Sequence, residues 1–299
     1  SMQAVSAFLV ISIIFMNLPR AAVSAKRITE VLETESQIQD PVNPVKAPRR
    51  GGKVEFRNVT FTYPGAAEPV LYNISFIALP GETTAFVGST GSGKSTIINL
   101  IPRFYDATNG QVLVDDIDVR AMKQKNLRER IGYVSQKAML FSGTIKDNII
   151  YGNPRASQEE ILQAAATAQA LEFIKELEQK FDSSIAQAGS NFSGGQKQRL
   201  AIARALAKNP ELYLFDDSFS ALDFKTDTAL RHALKTEAKG KTVIIVTQRI
   251  ATIMNADKII VIDKGEIVGQ GTHKSLLRTC KTYREIAASQ LAPEELARF

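Results

Sequence analysis

Residues 88–95 read Gly88-Ser89-Thr90-Gly91-Ser92-Gly93-Lys94-Ser95, a glycine-rich stretch closing on a lysine and a hydroxyl residue. This is the pattern G-x-x-x-x-G-K-[ST], and its chemistry is phosphate binding. Glycines let the backbone wrap tightly enough for its N–H groups to converge on phosphate oxygens, and a helix starting there adds its partial positive charge. Lys94 supplies a cation for β- and γ-phosphates, and the Ser95 hydroxyl supplies a ligand for Mg2+. Such a loop needs a second, acidic metal ligand, normally at the end of a buried strand. Glu211-Leu212-Tyr213-Leu214-Phe215-Asp216 provides four apolar residues followed by a carboxylate, which makes Asp216 the candidate partner of Ser95. A further stretch, Ser193-Gly194-Gly195-Gln196, opens the amphipathic run Leu200–Leu206 and forms a second anion-binding nest 99 residues beyond Lys94 (193 − 94). One phosphate-loop fold does not need two.

These residues require particular elements behind them. Thr83–Val87 is a short strand leading into the loop, and Thr96–Phe104 reads as the helix that follows it, so the loop lies in a strand-to-helix context. Val54-Glu55-Phe56 and Val59–Tyr63 alternate as half-buried strands do, with Pro64-Gly65 as a turn. Gln158–Phe181 reads as one amphipathic helix, with Ile161, Ala165, Ile174 and Phe181 on one side.

The chain has 299 residues, 44% hydrophobic and 23% charged, an ordinary globular balance that excludes wholesale disorder and a multi-span membrane protein. One cysteine, Cys280, cannot form an intrachain disulfide, and two histidines do not support a Cys/His metal cage, so a reducing, cytosol-facing setting is the default. The excess of Lys and Arg over Asp and Glu, 37 − 31 = +6, is mild and spread out, which argues against a nucleic-acid partner. The first 19 residues break the average: they carry no charged side chain, and Phe8–Met16 is almost continuously apolar. As a helix they would reach about 28 Å, just short of the roughly 30 Å hydrocarbon core. Three readings compete. Val23-Ser24-Ala25 looks like a secretory cleavage site, but the basic region that should precede it is missing. A buried soluble helix would need a partner on every face. The end of a membrane helix cut from a longer chain fits the flank of Arg20, Lys26 and Arg27, and Ser1-Met2 looks like an expression scar. Residues 20–52 then form a helical extension to about Thr34 and a linker rich in Pro and Gly, residues 53–291 the main domain, and 292–299 a tail.

With the phosphate loop, Asp216 and the Ser-Gly-Gly nest in place, the sequence resembles the nucleotide-binding domain of the ATP-binding cassette family from Lys53 to about Leu291. The family signature has the form Leu-Ser-Gly-Gly-Gln, with Phe192 here in place of the leading Leu. The resemblance implies an α/β fold: a P-loop NTPase with a RecA-like core, an antiparallel β subdomain, and an inserted α-helical subdomain, about residues 137–206, that presents the signature. It implies ATP and Mg2+ as ligands. Tyr63 would stack on adenine, and Gly88 to Thr96 would hold the phosphates. Ser95, Gln136 and Asp216 would serve the metal, and Gln136 and Lys94 would act with Asp217 and Gln248 at the reaction centre. Two such domains pack head to tail, so Ser193, Gly194, Gly195, Gln196 and Asp223 would reach ATP at the dimer interface. Leu140–Ile149 is of the type seen in exporters, where it meets the membrane domain, which places this domain at the cytoplasmic face of the membrane.

Three positions depart from the family pattern. Asp217 stands where a competent site has Glu, Gln248 where it has His, and Gln187 where exporters have Glu. Asp is one methylene shorter than Glu, so its carboxylate stands back on the order of 1.5 Å from the attacking water. Gln248 can donate a hydrogen bond but cannot carry charge as imidazole can, and neither His232 nor His273 fits the missing role. The three together resemble the degenerate half of a heterodimeric multidrug-type exporter, whose partner chain carries the intact Glu and His. An ordinary ATPase that tolerates the substitutions, a soluble cassette ATPase, and a nucleotide-gated regulatory module are the rivals. The apolar first segment and the retained metal carboxylates weigh against the last two.

Overall fold

The computed structural model describes residues 2–46 and 51–292. Residues up to Gln39 form a unit of their own. It is dominated by helix α1 (Met2–Leu32), which runs through Pro19 without a break and buries none of its residues. Among the described residues this is the one helix long and apolar enough to cross a membrane. The charge boundary after Pro19 is therefore no boundary in the helix.

From Asp40 onward the chain is a second unit. Within it, Asp40 accepts the Gln124 N–H at 2.8 Å, and Val45 N–H donates to the Ala121 carbonyl at 2.8 Å. Pro48, Arg49 and Arg50 of the linker and residues 293–299 of the tail lie outside the described residues.

Two main sheets build the unit. Strands β1 (Val54–Phe61) and β2 (Leu71–Ala78) pair antiparallel, and β1 is a single strand where the sequence suggested two. The reason is an irregularity at Asn58, whose φ of 48° shifts the register without ending the ladder. After β3 (Thr83–Val87), helix α2 (Lys94–Leu100) and strands β4 (Asn109–Val114) and β5 (Ile117–Asp118), the antiparallel sheet is complete in the order β2-β1-β4-β5. Helix α2 ends four residues before Phe104, and Ile101–Arg103 continue as turns. Helix α3 (Gln124–Glu129) and strand β6 (Ile131–Val134) lead to a helical region.

That region holds strand β7 (Gly143–Thr144), helices α4 (Ile145–Ile150), α5 (Gln158–Thr167) and α6 (Leu171–Glu176), strand β8 (Ser184–Ile185) paired with β7, and helix α7 (Gly194–Ala207). The long helix expected over Gln158–Phe181 is broken. Gln169 adopts φ 56° between α5 and α6, and Leu177 is extended after α6. The apolar period survives the break because Ile161, Ala165 and Ile174 all enter the same core. Helices α4, α5 and α7 each start at a hydroxyl whose side chain accepts from the third residue on, which returns its own side-chain bond: Thr144/Asp147, Ser157/Glu160 and Ser193/Gln196.

Strand β9 (Leu212–Asp216), helix α8 (Phe224–Glu237), strand β10 (Thr242–Val246), helix α9 (Ile250–Ile253), strands β11 (Lys258–Asp263) and β12 (Glu266–Gly271) and helices α10 (His273–Thr279) and α11 (Lys281–Ala288) follow. The central sheet has the order β12-β11-β3-β10-β9-β6, parallel except for β12. All of β9 and β10 is buried, as expected for parallel strands covered on both faces. Their alternate residues divide between two cores. Tyr213 and Phe215 face the helical region with Leu200, while Leu212 and Leu214 pack with Phe56 and Phe86.

Candidate nucleotide site

The C-terminal ends of β3, β9 and β10 converge on one cleft of about 320 Å³. The loop after β3 has no freedom to be anything but glycine at two points. A Cβ on Gly88 would lie 2.0 Å from the Ile262 carbonyl, and Gly93 has φ 98° with Leu71 Cδ2 2.6 Å from where its Cβ would stand. Lys94 opens α2 and folds back: its Nζ donates to the carbonyls of Gly88 at 3.0 Å and Ser89 at 2.6 Å and to Ser92 Oγ at 3.2 Å. Burial pushes its pKa below the usual lysine value, against the pull of the Asp217 and Asp216 carboxylates.

Asp216 ends β9 opposite Val246 of β10, and Ser95 Oγ donates to its Oδ1 at 2.9 Å. Burial raises the Asp216 pKa, the Ser95 bond opposes this, and Asp217 adds to it. A hydroxyl and a carboxylate in contact, with the Gln136 carboxamide on the same cleft, form an oxygen donor set that suits Mg2+ rather than a soft metal. Among the described residues no cluster of His, Cys, Asp and Glu offers another metal centre.

Asp217 sits in a left-handed conformation, φ 44°. Its N–H donates to the Val246 carbonyl at 2.8 Å, and its own carbonyl accepts the Ser220 hydroxyl at 2.8 Å. Both carboxylate oxygens have neighbours at 3.4 Å: Gln136 Nε2 donates to Oδ2 and Thr247 Oγ1 to Oδ1. Gln248 follows β10 and lines the cleft beside Thr247. Tyr63 is not part of the cleft wall: its hydroxyl is 2.9 Å from Oγ1 of Thr96, which is, and Phe61 and Tyr105 hold its ring edge-on at 4.8 and 5.2 Å.

The cleft thus collects Thr90, Gly91, Gly93, Lys94, Ser95, Thr96, Gln136, Asp216, Asp217 and Gln248 from the expected set. Gly88, Ser89 and Ser92 shape the loop behind it through the Lys94 ammonium. Ser193, Gly194, Gly195 and Gln196 are not part of its wall: they cap α7. Asp223 is not part of it either, and caps α8 by accepting the Thr226 N–H at 3.0 Å, a bond that holds its carboxyl below the usual range. Gln187 begins a short turn in which Ala188 and Gly189 have φ 53° and 66°. His273 is buried against Tyr283, with Nδ1 2.7 Å from the phenol oxygen, far in role from the cleft. Sequence reasoning missed Val70 and Thr247, both on the cleft wall. Val70 precedes β2 with nothing local to mark it, whereas Thr247 could have been found as the hydroxyl next to Gln248.

The ABC transporter family profile matches residues 71–220. An uncharacterized ABC transporter ATP-binding protein of Mycobacterium tuberculosis is 50% identical over 293 residues, covering 96% of this chain and 50% of that protein. An ATP-dependent lipid A-core flippase of Haemophilus influenzae is 45% identical over 261 residues, covering 87% of this chain and 44% of the flippase. A solved bacterial Atm1-family ABC exporter with ATP bound superposes with a TM-score of 0.87 at 37% identity, covering 94% of this chain and 49% of the exporter chain. The chain spans about half the length of the relatives it matches.

Proposed function

The chain belongs to the ABC transporter family as a nucleotide-binding domain, and from that premise we propose that it binds Mg-ATP in the cleft at Lys94 and Asp216 and hydrolyses it slowly to drive export. The observation that carries the slow-site reading is Asp217, a short carboxylate whose two oxygens stand 3.4 Å from Gln136 and Thr247. Lys94 would turn its ammonium from the loop carbonyls to the β- and γ-phosphates. Ser95 Oγ and Asp216 Oδ1 would hold Mg2+, with Gln136 beside them, and the metal supplies charge neutralisation at the phosphate oxygens. Asp217 would accept the proton of the attacking water from a carboxylate set back on the order of 1.5 Å, and about 1 Å of misplacement costs on the order of a hundredfold in rate. Gln248 would donate to the γ-phosphate without the charge an imidazolium brings.

The nest at Ser193-Gly194-Gly195 faces no part of the chain's own cleft, which supports head-to-tail pairing in which it closes the ATP site of another nucleotide-binding domain. We infer a partner that carries the intact Glu and His, so that this chain's signature serves the faster site. The apolar α1, none of whose residues is buried, supports its reading as the cytoplasmic end of a membrane helix, with residues 53–291 at the cytoplasmic face. The names of the relatives, a lipid A-core flippase and an Atm1-family exporter, favour export. The first test is turnover by the purified chain, which should bind Mg-ATP and hydrolyse it slowly; the second is Asp217→Glu with Gln248→His in the assembled transporter, which should raise hydrolysis by about tenfold or more. Rapid turnover that is indifferent to Asp217 would refute the slow-site reading.

A further inference from the structure

The loop that carries Gln248 lies between β10 and α9, and regular structure does little to hold it. Thr247 N–H still joins the ladder through the Phe86 carbonyl at 3.1 Å, and Arg249 N–H turns back to Thr247 Oγ1 at 3.1 Å. Helix α9 then begins at Ile250 with no side-chain cap from Arg249. Its first N–H groups have no partner within the helix. One side chain from 40 residues further on supplies what the loop lacks. Gln290 Oε1 accepts the Ile250 N–H at 2.8 Å, and the same amide donates through Nε2 to the Gln248 carbonyl at 2.7 Å. The two bonds use both ends of a carboxamide to bridge both sides of Arg249.

Gln290 is itself anchored. It lies in the turn after α11, with its N–H on the Ala287 carbonyl at 3.1 Å and the Leu291 N–H on the same carbonyl at 2.9 Å. Tyr283 and Ala287 are fully buried in the core that also contains Ile250, and Leu291 packs against that core. The amide therefore transmits a fixed position from the last helix to the backbone of a cleft residue.

We propose that Gln290 is a positioning residue of the nucleotide site, which sets the Gln248 side chain for its contact with the γ-phosphate by clamping the backbone on both sides of Arg249. The inference rests on the reading of Gln248 given above. Gln290→Glu separates the two bonds: a carboxylate still accepts from Ile250 N–H but presents an acceptor to the Gln248 carbonyl. Gln290→Met keeps the length and removes both. Calorimetric titration of the 299-residue chain with the Mg2+ complexes of the β,γ-imido analogue of ATP and of ADP reads the γ-phosphate contact as a ratio of affinities, free of turnover. Gln248→Ala should lower that ratio about tenfold, the range of one hydrogen bond to a charged group, and each Gln290 variant about three- to tenfold. A Gln290→Glu/Gln248→Ala double variant should fall no further than Gln248→Ala. An unchanged ratio in both Gln290 variants beside a lowered one in Gln248→Ala overturns the clamp and leaves the site reading standing. So does a parallel loss for both nucleotides, which marks a merely structural role, and so does full additivity in the double variant. An unchanged ratio in Gln248→Ala overturns the site reading and the clamp with it.

Discussion

The two glycine nests make opposite predictions for the same substitution. At Gly88 an added Cβ meets the Ile262 carbonyl at 2.0 Å and Ser92 Oγ at 2.9 Å. Relief requires roughly 1 Å of movement between β3 and β11, which are paired by backbone bonds up to Val87 and Val261. Overpacking of this kind costs about 1–3 kcal/mol, a fall in Tm of about 2–12 °C for a domain of this size. The loop N–H groups move with it, so Gly88→Ala should lose Mg-ATP binding. At Gly194 the new Cβ would meet nothing within 4 Å, and the backbone is already helical. Gly194→Ala should therefore stabilise the chain by about 0.4–1 kcal/mol through the unfolded state, raising Tm by about 1–4 °C. Its Mg-ATP affinity as a dilute monomer should match the parent, and only ATP-dependent association should weaken. Differential scanning calorimetry and nucleotide titration at low micromolar chain, followed by sedimentation velocity with and without Mg-ATP, measure all three. If Gly194→Ala weakens nucleotide binding by the monomer as Gly88→Ala does, both nests serve one site within one chain and head-to-tail pairing is wrong.

Asp216 gives a pH test. Its folded pKa lies above the ordinary aspartate value, so protonation favours the folded state: that contribution is present below the ordinary value and lost as pH rises through the folded one. Asp216→Asn should therefore raise the Tm of the metal-free chain near pH 7, by a margin that shrinks on acidification, while abolishing the extra stabilisation from Mg-ATP. A margin independent of pH would contradict this. Away from the cleft, Arg130 bonds Asp115 and Glu211, with its side chain 6% exposed and that of Asp115 1%. Arg130→Met removes the buried guanidinium between these two carboxylates and should cost about 3–5 kcal/mol. The corresponding fall in Tm is about 6–20 °C, and a fall under about 3 °C would refute the role.

What could be seen in the sequence was whatever a short stretch encodes by itself. The phosphate loop was legible because its glycines are required by contacts, as the 2.0 Å approach at Gly88 demonstrates. Asp216 was legible because a strand buried on both faces must read as an unbroken apolar run. Helix interruptions were not, since Gln169 breaks the Gln158–Phe181 pattern while its neighbours keep the same apolar period and enter the same core. Gln290 meets the backbone of the loop after β10 through two hydrogen bonds from a position with no local pattern, and Val70 reaches the cleft only because β2 lies beside the loop.

Lys94, Ser95 and Asp216 are already bonded within the chain, and this bears on how the cleft responds to nucleotide. Lys94 Nζ has three acceptors on its own loop, and Ser95 is committed to Asp216. A buried cation or carboxylate without such partners would cost several kcal/mol. Binding therefore exchanges internal bonds for bonds to phosphate and metal, and its net gain is much smaller than the number of new contacts suggests. The nest at α7 differs. Ser193 and Gln196 cap each other, but a Cβ on Gly194 would meet nothing within 4 Å. A ligand that bonded Ser193 would exchange its cap bonds to Gln196, whereas one approaching over Gly194 would meet open space, so on the proposed pairing part of the gain would fall on the step that brings a second domain's phosphates to the nest. On the proposed head-to-tail pairing, closure of two domains would add to the binding energy of a nucleotide already held by one of them, which is how ATP could do work at the interface as well as at the loop.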